Sequence, residues 1–175
     1  MSKRHSSNET RYQNSILQIV EDAKARPWSP SDYLDPIRQL YLKLPPTSKK
    51  AFRSSLLELL KQDKHLENIL DICAELHLKE ACPILMERFI HAPRFSEGRP
   101  VWKDGFRRSV ILTFGDLRCP KAKTLLIRLL NAKVVGGKTT ALPQLSLESY
   151  GVVMQSLTKL SPEDAANYYG WWVRK

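Results

Sequence analysis

Residues 115–130 read Gly115-Asp116-Leu117-Arg118-Cys119-Pro120-Lys121-Ala122-Lys123-Thr124-Leu125-Leu126-Ile127-Arg128-Leu129-Leu130. Pro120 suits the first turn of a helix, where its missing N–H leaves no intrahelical bond unmade. Leu125, Leu126, Leu129 and Leu130 then recur at helical spacing and form one apolar face. A second copy lies 41 residues upstream, where Glu75-Leu76-His77-Leu78-Lys79-Glu80-Ala81-Cys82-Pro83-Ile84-Leu85 carries a small-x-Pro-x-Leu opening of the same kind of helix. Two copies at such a spacing point to stacked helix pairs.

Working outward, the same periodicity continues in both directions. Tyr12, Ile16, Leu17, Val20 and Ala23 predict an amphipathic helix over residues 10–25, ended by Pro27 and Pro30. Asp35 and Pro36 supply an N-cap and a first helical residue for a helix to about residue 44, and Thr47 or Ser48 is expected to cap the next, with Ala51, Phe52, Ser55, Leu56, Leu59 and Leu60 on its face. A third pair follows, with Leu66, Ile69, Leu70, Cys73 and Leu76 on its first member and Ala81, Ile84, Leu85, Arg88 and Phe89 on its second. Turn-rich stretches at 91–105 and 131–146 are expected to be long loops.

The last pair is expected from about 147 to 159 and from 162 to 173. Val153, Met154, Leu157 and Leu160 follow Val110, Ile111, Phe114 and Leu117 by 43 residues, and Ala165, Tyr168, Tyr169 and Trp172 overlay Ala122, Leu125, Leu126 and Leu129 with one gap. Residues 65–173 thus resemble a HEAT-like (PBS-lyase-type) α-helical repeat family, although Cys119 stands where many such repeats carry Asp and Lys79 where they carry Pro. The resemblance implies an all-α fold, a right-handed α-solenoid of about four antiparallel helix pairs with an N-terminal helix. Residues 1–9 are expected to be a disordered polar tail and residues 10–175 a single repeat domain.

Helical repeats bind more often than they catalyse, and the charge indicates what is bound. The chain carries a formal charge of +10, and residues 88–138 hold twelve Lys and Arg against Glu97, Asp104 and Asp116. Such asymmetry implies an acidic partner, either a phosphate backbone or an acidic protein. No apolar run is long enough to span a bilayer, and the polar start shows no apolar stretch after its charges, so a cytoplasmic protein with no membrane partner is expected. Three cysteines, an odd number, fit a reducing setting, with Cys73 and Cys82 as buried core thiols.

Chemistry-bearing patterns are sparse. Ala132–Thr139 fits a relaxed phosphate-binding loop but has an apparent helix before it, where the loop needs a strand, and Pro143 soon after. Cys73, His77 and Cys82, with His65 or His91, lack the tight paired spacing of structural zinc. No metal, cofactor or catalytic residue is therefore assigned. Asp116 is read as bonding backbone N–H groups of its turn, and Glu163 and Asp164 as first-turn acids complementing the helix dipole.

Candidate partner contacts are Arg94, Arg99, Trp102 and Lys103 in the first long loop, Arg107 and Arg108 after it, Lys121, Lys123 and Arg128 between the signature residues of 115–130, and Lys133 and Lys138 beyond. Arg and aromatic residues interleaved in this way suit an interface anchored on Trp102, or phosphate clamping with base stacking. The preferred reading is a non-enzymatic protein-interaction module, an adaptor, regulator or immunity-type inhibitor, docking on an acidic protein. The alternative is a nucleic-acid-binding HEAT-like protein. One family of these excises alkylated DNA bases with an Asp beside aromatic residues, for which Asp104 and Trp102 are the pair on offer.

Overall fold

The structure, a computed structural model, describes residues 3–24, 29–62, 64–91, 104–134 and 147–173. Every regular element among them is helical: α1 (Lys3–Lys24), α2 (Ser31–Lys43), α3 (Pro46–Leu59), α4 (Leu66–Glu75), a 3-10 turn (Lys79–Ala81), α5 (Cys82–His91), α6 (Asp104–Asp116), α7 (Pro120–Val134), α8 (Leu147–Leu160) and α9 (Pro162–Val173). Contacts divide the chain into two compact units, Met1–Ile84 and Leu85–Lys175. No helix among the described residues is long and apolar enough to cross a membrane.

In the first unit α1 packs on α3 and α2, and α4 on α2 and α3. Helix α1 runs back to Lys3 through the segment expected to be a tail. One reason lies in α3, where the buried Ser55 Oγ donates to the carbonyl oxygen of Glu9 at 2.9 Å and so holds the start of α1 against it. Tyr12 and Tyr41 both meet Phe52, with ring centroids 5.6 Å apart in each case. Helix α2 starts at Ser31, ahead of the expected Asp35, and carries Pro36 inside it. The earlier turn places Tyr33 and Ile37 on one buried face, and the Tyr33 hydroxyl donates to Asp71 Oδ2 of α4 at 2.5 Å. That burial and bond offset the hydrogen bond that Pro36 cannot make.

Helix α3 likewise starts early, at Pro46 with Pro45 as N-cap, so Thr47 and Ser48 fall inside the first turn and no side chain caps it. His65, in the left-handed region at φ 56°, begins α4. Lys24 Nζ donates to its Nδ1 at 2.9 Å, and its Nε2 lies 3.2 Å from Glu21 Oε1. An ammonium group can only donate, so Nε2 carries the proton and donates to Glu21. The hydrogen bonds from Lys64 and His65 hold the Glu21 carboxyl below the usual carboxylate range.

Helices α4 and α6 end alike. His77 N–H donates to Ala74 O at 3.0 Å and Leu78 N–H to Cys73 O at 2.9 Å; in the later copy Arg118 N–H donates to Gly115 O at 3.1 Å and Cys119 N–H to Phe114 O at 3.0 Å. This is the Schellman motif, with His77 and Arg118 at the left-handed residue (φ 48° and 51°) where glycine is usual. Corresponding residues after each turn, Leu78 and Cys119, Ala81 and Ala122, Leu85 and Leu126, are all buried. The 41-residue copy read in the sequence is therefore the same turn in three dimensions.

Cysteine bonding differs from expectation. Cys82 and Cys119 are disulfide-bonded, and the buried Cys73 is the free thiol among the described residues, pushed well above the ordinary thiol range by burial. An odd count excludes the bonding of every cysteine within one chain but not of some of them.

In the second unit the most extensive packing is between α6 and α8, with α7 and α9 also against α8. Phe89 of α5 meets Phe114 of α6 edge-on at 6.0 Å. The buried Ser156 of α8 donates through Oγ to the carbonyl of Ile111 at 2.7 Å. Lys159 of α8 donates to Asp116, which thus ties α6 to α8 instead of capping its own turn. Ser161 Oγ donates to Asp164 Oδ2 at 2.5 Å across the first turn of α9, which opens with Pro162.

Gly115 makes the α6–α8 approach possible, since a Cβ there would lie 2.9 Å from the Ser156 Cα. Backbone cannot yield as a flexible side chain does, so Gly115→Ala is expected to cost about 1–3 kcal/mol by overpacking. Gly151, on the exposed side of α8, has nothing within 4 Å, and Gly151→Ala is expected to stabilise by about 0.5–1 kcal/mol through helix propensity. Urea denaturation of the two variants beside the parent protein checks both signs.

Candidate partner-binding surface

Helix α7 buries Ala122, Leu125, Leu126, Leu129 and Leu130, the face read from its sequence. Its opposite side exposes Lys121, Thr124, Arg128 and Asn131 at three- and four-residue intervals. No carboxylate interrupts that exposed row. Arg118, in the turn leading into α7, is also exposed.

Of the residues expected to contact a partner, Arg94, Arg99, Trp102, Lys103 and Lys138 lie outside the described residues. Lys133 falls on α7 and Asp104 opens α6, but their side chains lie outside the description. Arg107 is buried, at 3% exposure, and held by interactions within the protein, so it is not a surface contact. The helical period explains the correction: Arg107 lies three residues before Val110 and seven before Phe114, on the inward side of α6. Arg108 is half-buried and also engaged within the protein. Lys123 forms an ion pair with Asp164 of α9 at 2.6 Å.

Other cations of this unit are similarly committed. Arg88 lies over the Phe106 ring at 6.0 Å, and Lys159 pairs with Asp116. Among the described residues of the second unit, Arg118, Lys121 and Arg128 are the Lys and Arg side chains that remain exposed without an ion-pair or hydrogen-bond partner. The surplus charge sits in the same unit, which holds fifteen Lys and Arg against seven Asp and Glu, whereas the first unit holds thirteen against eleven.

Arg118 belongs to the charged segment and is not among the expected contacts. It holds the turn position that matches His77 in the earlier copy and lies off the helix faces. Among the described residues no group of three or more His, Cys, Asp and Glu could hold a metal ion. A helix, α7, leads into Ala132–Thr139, which a phosphate-binding loop does not tolerate.

The Lys123 hydrogen bond, then that of Ser161, holds the Asp164 carboxyl below the ordinary aspartate value. A group whose folded pKa is depressed contributes stability above its unfolded pKa and loses it as pH falls through the folded value. The midpoint of urea unfolding is therefore expected to fall as pH is lowered from about 4 towards 2. Asp164→Asn should flatten part of that slope, and an unchanged slope would remove Asp164 from the account.

Comparison with known proteins yields no matching family model, curated protein or solved structure.

Proposed function

We propose that the chain is a non-enzymatic binding module of the HEAT-like kind, and that it docks on an acidic protein through the exposed cations of α7 and its leading turn. One observation carries the reading: among the described residues of the second unit, the exposed cations without an acidic partner stand together on one helix and its approach. Lys121 and Arg128 are two turns apart, about 10.5 Å along the axis, with no acid between them on that face. Paired charges such as Lys123 already have their counter-ions, so a partner gains little from them, whereas exposed unneutralised cations steer an acidic surface into contact. The solenoid arrangement belongs to the same proposal, supported by the matching turns after α4 and α6.

Lys121→Glu with Arg128→Glu tests the surface, and Lys43→Glu with Lys50→Glu, exposed cations of the first unit, changes net charge equally. The first pair is expected to weaken binding of poly-L-glutamate about tenfold, with helicity retained, and the second far less. Equal losses would mean diffuse attraction and no surface. Duplex DNA at about 50 mM salt is the other probe: tight binding that falls with a log–log salt slope near −3 would replace the acidic protein with a nucleic acid as partner.

A cytoplasmic location belongs to this reading. Disulfides persist in oxidising compartments, so the bonded Cys82 and Cys119 count against it. Alkylation under denaturing conditions of the protein taken directly from cells decides the matter: modification of both keeps the location, and protection of both removes it.

A further inference from the structure

We infer that Arg118 is a partner contact, kept at a left-handed backbone position that would favour glycine because its side chain is used. The inference rests on the surface proposed above and adds to it a role for the backbone position of the residue in its leading turn. Its grounds are three observations taken together. Arg118 has φ 51° at the turn residue of a Schellman motif, where an L side chain crowds its own backbone and glycine does not. Its backbone N–H serves the turn by donating to Gly115 O at 3.1 Å, but any residue type except proline supplies that bond. Its side chain is exposed and joins no ion pair or hydrogen bond among the described residues, so nothing it does for the fold offsets the conformation.

What the guanidinium does supply is position. The turn brings Arg118 to the start of α7, three residues ahead of Lys121 and ten ahead of Arg128, and so lengthens the row of unneutralised cations beyond the helix. The ligand chemistry is a carboxylate of an acidic protein surface, which a guanidinium can grip with two parallel N–H donors. His77 is the internal control. It has the same turn geometry and is exposed, but it precedes α5, which has no comparable row.

The experiment compares Arg118→Gly, Arg118→Lys and His77→Gly in the full chain, reading thermal midpoint and poly-L-glutamate affinity at low salt. Both glycine variants are expected to raise the midpoint, by about 4 °C. Arg118→Gly is expected to lose about threefold in affinity, Arg118→Lys to keep most of it, and His77→Gly to match the parent. Parent-like affinity in Arg118→Gly overturns the inference, as does an equal loss in His77→Gly, which would assign the effect to the turn and not to the side chain. If Lys121→Glu with Arg128→Glu still weakens binding while Arg118→Gly does not, the surface stands and only Arg118 leaves it. Should none of these variants alter affinity, the surface reading falls with it.

Discussion

A buried serine hydroxyl donating to a main-chain carbonyl of a neighbouring helix recurs at the most extensive helix contact of each unit, Ser55 to Glu9 and Ser156 to Ile111. A helical carbonyl already accepts one bond from its own ladder and has a second lone pair to offer. Only a small side chain can bring a hydroxyl to it, and doing so draws the two backbones together. In the second unit the approach is close enough that α6 carries glycine opposite Ser156. The apolar faces go with that spacing: Val110, Ile111 and Phe114 of α6 and Val153 and Leu157 of α8 are all buried. The same spacing sets Asp116 opposite Lys159.

Much of this architecture was legible in the chain, because a buried helix face writes a 3.6-residue period into its sequence. The faces of α3, α4 and α7 fall where Leu56, Ile69 and Leu126 predicted, and the copied turn after α4 and α6 was visible as a 41-residue echo. Helix starts were less legible. Pro36 reads as a first residue by local rules, but Tyr33 gains a buried place and the Asp71 carboxylate when α2 starts a turn sooner. Those gains are tertiary and leave no mark on neighbouring residues.

The candidate surface was legible as a charge total and illegible as a list. Twelve cations in one segment raise the expectation of an acidic partner, yet a formal charge does not say which of its members are already satisfied. Arg107 turns inward, Lys123 finds Asp164, and Lys159, outside that segment, finds Asp116. Among the described residues, subtracting such pairs leaves a short row on α7 and its approach. Ion pairs across helices depend on packing, and periodicity carries no record of them.

Cys73 has a consequence of another kind. Its thiol is enclosed by α4 and its neighbours, and desolvation keeps it protonated. A thiol in that state does not react, because the thiolate is the nucleophile and the reagent has no path to it. Labelling can proceed only in moments when the helix around it opens. Its rate is a built-in clock for the breathing of the first unit, timed at the centre of the core without any introduced probe.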